Sequence, residues 1–273
     1  MDTNPSSSHP ESSLLSGRTI LVTRPRMQAG PLAEGLRALG ARVIVLPALE
    51  ITPPEDAGPL DRALADPKSY SLVIFTSANA VEGVIARLTS LGGGPASLRD
   101  IPLVAIGQAT SDKLRDHFLA ASLIPAKGTS EGVLEALAET PVTGIKVLIP
   151  GAAEGRRVIA EGLRKRGAEV IEVEAYRTIQ PSPAEPAIRK ALDELGKGPV
   201  DLVVFASPSA VRNLTEMLES GLRERVQTAP AAVIGPVTAQ AARNEGYTVV
   251  AEPAGQTVEG VISSIKEVFR NKK

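Results

Sequence analysis

The sequence predicts an α/β fold made of two copies of one parallel-sheet domain. Three observations carry this expectation: a long-range duplication, a regular alternation of short apolar runs with amphipathic stretches, and strands lacking a polar face. Glu34-Gly35-Leu36-Arg37-Ala38-Leu39-Gly40-Ala41 returns as Glu161-Gly162-Leu163-Arg164-Lys165-Arg166-Gly167-Ala168, 127 residues later. Phe75-Thr76-Ser77-Ala78-Asn79-Ala80-Val81 returns as Phe205-Ala206-Ser207-Pro208-Ser209-Ala210-Val211. Ile106-Gly107-Gln108-Ala109-Thr110 returns as Ile234-Gly235-Pro236-Val237-Thr238, and Thr129-Ser130-Glu131-Gly132-Val133 as Thr257-Val258-Glu259-Gly260-Val261. Four matches in one order at nearly one offset mean a duplicated domain, since solenoid units span only about 20–50 residues.

The elements follow in order. Thr19 to Thr23 is rich in β-branched residues and stops at Arg24-Pro25, so it reads as a strand. Residues 28–39 set Leu32, Leu36 and Leu39 at helical spacing, with Gly40 as the C-terminal stop. Arg42 to Leu46 is the next strand, cut by Pro47. Leu72 to Phe75, a helix from Ala78, Val104 to Ile106 and a helix from Gln108 follow. The second half repeats this order with strands at Lys146 to Ile149, Glu169 to Val173, Leu202 to Phe205 and Ala232 to Ile234. Apolar strands alternating with helices imply parallel sheets covered on both faces.

Composition narrows the class. Apolar content of 43% and charged content of 22% are those of a soluble globular protein, and 273 residues suffice for two domains. A net charge of -1 argues against a nucleic-acid or membrane-surface binder. With no cysteine and only His9 and His117, the chain offers no thiolate nucleophile, no Cys/His metal site and no Ser-His-Asp triad. Residues 1–16 are rich in Ser and Pro, without a basic start or long apolar run, and read as a disordered tail rather than a signal peptide. No apolar run approaches the roughly 18 residues of a membrane span, so the expectation is a cytoplasmic protein. Neither a G-x-G-x-x-G after the first strand nor a G-x-x-x-x-G-K-[ST] occurs, which speaks against dinucleotide and P-loop sites.

The repeated motifs all fall just after a strand, at the start of a helix. Ligands of open α/β sheets bind at the carboxyl ends of strands, and helix N-termini there present free N–H groups and a positive dipole end. Ser77, Ser209, Thr110, Thr238, Thr129 and Thr257 are hydroxyl residues in these starts. They can be N-caps, each stabilising by about 1 kcal/mol, ligand contacts, or both. Such a site suits an anion-rich molecule held by amides, hydroxyls and a few arginines.

Six motifs then carry a resemblance: Val22-Thr23-Arg24-Pro25, Phe75 to Val81, Ala105 to Thr110, Val173-Glu174-Ala175-Tyr176-Arg177-Thr178, Phe205 to Val211 and Gly235 to Thr238. Together they resemble the uroporphyrinogen-III synthase family over nearly the whole chain after the tail. The resemblance implies a cyclising hydro-lyase acting on hydroxymethylbilane, a linear tetrapyrrole with eight carboxylates. It loses its hydroxyl as water, inverts the last pyrrole ring through a spiro intermediate and closes to uroporphyrinogen III. The resemblance further implies no metal and no organic cofactor, a monomer, and two flavodoxin-like domains joined by a two-stranded β-ladder, with the active site in the cleft between them. Transient hand-over with neighbouring tetrapyrrole-pathway enzymes is left open. Dehydration of an electron-rich pyrrole yields a stabilised azafulvenium cation, so orientation of the substrate carries most of the catalysis.

In the same frame, the segments ending at Pro53 and Pro181 sit at equivalent points of the two halves. If they pair as in the family, 46–53 and 172–181 are linker strands, 17–45 plus 182–270 form one domain and 54–171 the other. The repeat alone is equally compatible with two contiguous domains. The resemblance assigns catalysis to Tyr176, Thr110 and Thr238, with Tyr176 assisting hydroxyl departure unless its ring merely packs on the ladder. Substrate contacts are expected from Arg24, Thr76, Ser77, Asn79, Gly107, Ala109 and Thr129 in the first copy of the motifs. Arg156, Ser207, Ser209, Ala210 and Gly235 complete the set. Arg24 can take a carboxylate bidentately or sit in a salt bridge. Many family members carry arginine ahead of the glycine at 151, where this chain has Pro150, so that carboxylate contact is either missing or supplied by Arg156 or Lys127. His117 reads as a surface residue. The competing readings are a non-catalytic protein binding an anionic ligand in the same cleft, and a two-domain glycosyltransferase, for which no carboxylate or phosphate-binding signature is visible.

Overall fold

A computed structural model describes residues 13–152, 157–253, 255 and 257–270. The chain begins with β1 (Thr19–Val22), α1 (Arg26–Ala38), β2 (Arg42–Val45) and β3 (Glu50–Thr52). It continues through α2 (Gly58–Leu64), β4 (Leu72–Phe75), α3 (Ala78–Ser90), β5 (Leu103–Ala105), α4 (Gln108–Asp116) and α5 (Ser130–Ala136). Next come β6 (Lys146–Gly151), α6 (Arg157–Lys165), β7 (Glu169–Glu174) and β8 (Arg177–Ile179). The remainder is α7 (Pro186–Gly196), β9 (Leu202–Phe205), α8 (Pro208–Met217), α9 (Ser220–Gln227), β10 (Ala231–Val233), α10 (Pro236–Asn244), β11 (Val249–Ala251) and α11 (Val258–Arg270).

Two compact units result, one of Met1–Glu50 with Ile179–Lys273 and one of Ile51–Thr178. The first holds a parallel sheet in the order β11-β10-β9-β1-β2, and the second one in the order β5-β4-β6-β7. In the first unit β1 lies between β2 and β9, with Leu21 opposite both Ile44 and Val203. The start of the chain therefore shares a sheet with its end. The central strands β4 and β9 are buried at every residue, as expected of strands covered on both faces. β3 pairs with β8 in a separate two-stranded sheet, and the chain passes between units within these two strands. The α/β class with parallel sheets is what the sequence predicts.

Each unit has its own core. In the first, Leu32, Leu36, Val261, Ile265 and Phe269 from α1 and α11 cover one face of the sheet. In the second, Val81, Val84 and Leu88 of α3 pack on one face, and Val133, Ile159 and Leu163 on the other. Three boundaries differ from the sequence-based expectation. The tail does not extend to residue 16, because Leu15 is fully buried in the first core and its N–H donates to the Leu39 carbonyl. Residues 1–12, including His9, lie outside the described residues. β6 runs past Ile149 to Gly151, through Pro150. It tolerates the proline because β4 pairs only as far as Leu148, so Pro150 has a single neighbour, β7. α1 starts two residues earlier than periodicity indicates, at Arg26, because Pro25 sits at its N-cap.

Helix ends repeat a common device. After α1, α6 and α10, Gly40, Gly167 and Gly246 take positive φ, and paired bonds close each end: Gly40 N to Arg37 O with Ala41 N to Leu36 O, and their equivalents. α4 ends identically, but with Phe118 at φ 58, at the position that Gly246 occupies in the other copy. The left-handed conformation costs a β-carbon-bearing residue roughly 1–2 kcal/mol, and the Phe118 side chain is 89% exposed, so it gains little by packing. Phe118→Gly is expected to stabilise the fold by about 1 kcal/mol. An unchanged or lowered urea midpoint would show that the phenyl ring has a stabilising contact.

Tyr247, directly after Gly246, packs edge-on against Phe205 with ring centroids 5.0 Å apart. Burial pushes its phenol up to about 12, aided by Glu245 and opposed by the nearby Thr215 hydroxyl and by Arg223. A phenol raised above its unfolded value of about 10 stabilises the fold fully below pH 10, and this contribution disappears as pH rises through 12. The shift corresponds to roughly 2–3 kcal/mol. Wild-type stability from urea unfolding should therefore fall between pH 9 and pH 12 more steeply than that of Tyr247→Phe. Parallel pH profiles would contradict this.

Candidate functional site

The structure sets the repeated hydroxyl residues at helix starts in both units, with two distinct local roles. In the second unit β4 ends at Phe75, and Ser77 turns into α3 with extended φ -166. Its Oγ accepts from Ala80 N at 3.1 Å. Thr129 caps α5 by accepting from Gly132 N at 3.1 Å. Gly132 is needed there, since a β-carbon would lie 2.2 Å from the Lys127 carbonyl oxygen. In the first unit Ser207 caps α8 through Ala210 N at 3.1 Å, and Thr257 caps α11 through Gly260 N at 3.0 Å. These four are N-caps, each stabilising its helix by about 1 kcal/mol.

Thr110 and Thr238 are not caps. The N-cap positions before them are Gly107 and Gly235, in extended conformations and without a side-chain acceptor. Each threonine is the third residue of its helix and only 3% exposed. Ser209 is likewise the second residue of α8, 3.5 Å from an Arg212 guanidinium nitrogen that donates to it. Thr76, Asn79 and Gly107 are partly buried, Ala109 and Thr129 are exposed, and Ala210 and Gly235 are buried. Arg156 lies outside the described residues. Lys127, its alternative, is exposed and pairs with Glu135 at 3.3 Å.

Arg24 follows β1 directly. Its neighbour Thr23 is fully buried and donates to Val204 O at 2.9 Å, tying the strand end to β9. Burial lowers the Arg24 guanidinium below its ordinary range. Its Nε is buried with no hydrogen-bond partner among the described residues. A half-buried cation with a free donor is unfavourable by itself and favourable with an anion beside it. The salt-bridge alternative has no counterpart there: no ion pair to Arg24 is found among the described residues.

Tyr176 directly precedes β8, with its ring against the core that contains Val81, Val173 and Ala175. Ser77 Oγ donates to Tyr176 Oη at 3.1 Å. The phenol thus sits beside the N-terminus of α3. Ala175 comes so close to α3 that a β-carbon on Gly83 would lie 2.3 Å from the Ala175 carbonyl oxygen. The sequence did not single out Gly83; its duplicate being Asn213 was the available signal. His117, expected at the surface, is partly buried, with Nε2 3.3 Å from Glu82 at the end of α4. Among the described residues no group of three or more His, Cys, Asp or Glu is placed to hold a metal ion, and no helix is long and apolar enough to cross a membrane.

A family model described as uroporphyrinogen-III synthase HemD matches residues 30–263. The chain belongs to the uroporphyrinogen-III synthase family. It is 35% identical to the uroporphyrinogen-III synthase of Synechococcus elongatus over 263 residues, covering 94% of this chain and 97% of the relative. It is 33% identical to a putative uroporphyrinogen-III synthase of Methanothermobacter thermautotrophicus, covering 90% and 96%. The uroporphyrinogen III synthase structures from Thermus thermophilus and Helicobacter pylori share its fold, with TM-scores of 0.60 and 0.61. Identity to them is 19% and 18%; 93% and 92% of this chain, and 99% of each of theirs, is covered. Tyr176 is an ionisable residue in direct contact with one of the repeated helix starts, that of α3.

Proposed function

We propose that this chain is an active uroporphyrinogen-III synthase, a cyclising hydro-lyase that converts hydroxymethylbilane into uroporphyrinogen III. Family membership supports the reaction, and the observation that carries activity is the Tyr176 phenol held at the α3 N-terminus. In this reading the carboxylates are taken at helix starts and by Arg24, where free N–H groups and an unpaired guanidinium donor favour anions. Thr110 and Thr238 are read as contacting the substrate, together with Thr76, Asn79, Gly107, Ala109, Thr129, Ser207, Ser209, Ala210 and Gly235 at the repeated helix starts.

The chemistry then runs as follows. Tyr176 gives its proton to the hydroxymethyl oxygen as the C–O bond breaks and water leaves, producing an azafulvenium cation. The terminal pyrrole's α-carbon that already carries the methylene bridge to the preceding ring attacks it, forming the spiro intermediate. That bridge bond then breaks, leaving an azafulvenium cation on the preceding ring. The terminal pyrrole's unsubstituted α-carbon attacks this cation, and loss of the proton from that carbon restores aromaticity with the ring inverted. General acid assistance of this kind contributes about 10²–10⁴-fold, with the rest from orientation. The protein is read as a cytoplasmic monomer whose partner is this small molecule.

The test couples the protein to enzymatic hydroxymethylbilane formation and separates the oxidised products by isomer. The type III isomer is expected to dominate. Type I alone, the product of unassisted closure, would instead mark a non-catalytic member of the family.

A further inference from the structure

The two copies differ at one place that bears on Tyr176. Ser77 and Ser207 are duplicates and both cap a helix. Ala175 and Ala48 are duplicates, each on the segment ahead of its ladder strand, and the next residues are Tyr176 and Leu49. In the first unit Asn213 spans the space between α8 and this segment, its Nδ2 donating to Ala48 O at 2.9 Å. In the second unit the duplicate of Asn213 is Gly83, and α3 lies against the Ala175 carbonyl with no room for a β-carbon. With no side chain at 83, α3 lies closer to the segment than a β-carbon would allow, and the phenol reaches the helix cap.

We infer that Ser77 is a positioning residue that holds the Tyr176 phenol in its proton-donating orientation, with Gly83 setting the approach of α3 that makes this contact; the inference rests on the reading of Tyr176 as the acid. A serine hydroxyl has one donor and two acceptor sites. The donor goes to Tyr176 Oη, and one acceptor takes Ala80 N–H. Ser77 therefore has no donor left for a substrate carboxylate, unlike the role its motif suggests. With Ser77 as the donor of this contact, the Tyr176 O–H is not spent on Ser77 and is left for the substrate. The phenol is thereby presented as a donor before substrate arrives, which is the preorganisation that a general acid needs.

The test is a double-mutant cycle read on kcat and KM for type III formation. Ser77→Gly removes the hydroxyl while keeping a good N-cap residue, and circular dichroism checks that the fold is retained. Ser77→Gly should lower kcat about tenfold with KM within about twofold, and in a Tyr176→Phe background it should change kcat less than about twofold. Ser77→Thr, which keeps cap and donor, should recover most of the rate. Gly83→Ala should behave like Ser77→Gly, slowing the wild type but not Tyr176→Phe. Equal losses from Ser77→Gly in both backgrounds would assign Ser77 to the substrate and overturn the inference. A wild-type rate for Ser77→Gly beside a slow Tyr176→Phe would remove the inference alone. A wild-type rate for Tyr176→Phe would remove the reading beneath it as well.

Discussion

Tyr176→Phe is expected to form uroporphyrinogen III about 10²-fold more slowly than the wild type, with a rising share of the type I isomer as unassisted closure overtakes it. The magnitude is the lower end of what a positioned general acid contributes. The ring itself is retained, and with it the packing against the second unit's core. Only the hydrogen bond with Ser77 is lost, so stability should change by no more than about 1 kcal/mol. That separation makes the experiment decisive. A slow variant with an unaltered thermal transition assigns the loss to the hydroxyl, whereas near-normal turnover removes Tyr176 from the mechanism.

Arg24→Met should act in opposite directions on stability and on substrate. In the free protein the guanidinium is half-buried, its protonated form disfavoured by desolvation, and its Nε has no hydrogen-bond partner among the described residues. Methionine fills comparable space without a desolvated charge, so the melting temperature should rise. The same change removes a donor for a carboxylate, and losing one partner of a buried charge-assisted pair typically costs about 2–5 kcal/mol. Since Arg24 keeps part of its surface in water, an increase in KM of about tenfold is the appropriate expectation, with kcat much less affected. A lower melting temperature with unchanged KM would make Arg24 a structural residue.

Much of the architecture was legible because it is written in local patterns. The four-residue apolar runs at Leu72–Phe75 and Leu202–Phe205 became central, fully buried strands. Gly40 ended its helix as its spacing indicated, and its duplicate Gly167 does the same, since left-handed backbone favours glycine. Legibility failed where a neighbour distant in sequence decides. Pro150 looked like a strand end, yet β6 continues because no strand pairs on its other side at that level. Leu15 sat in a polar stretch and was assigned to the tail, but the first core has a place for it beside α1. Thr110 and Thr238 looked like caps by type and position, whereas the turn before each is made by a glycine and the threonine faces inward.

The sequence by itself determined the duplication, the α/β class and the family, because periodicity, strand composition and motif order are properties of the chain read along its length. It also marked Tyr176 as the asymmetric member of a symmetric pair. Only the tertiary structure decided what that tyrosine meets. Its hydroxyl touches Ser77, 99 residues away in the chain, and that distance depends on how closely α3 packs on Ala175. The packing is set by an absent side chain at Gly83. In the sequence this shows only as a glycine where the other copy has Asn213, and its consequence appears only when two backbones meet.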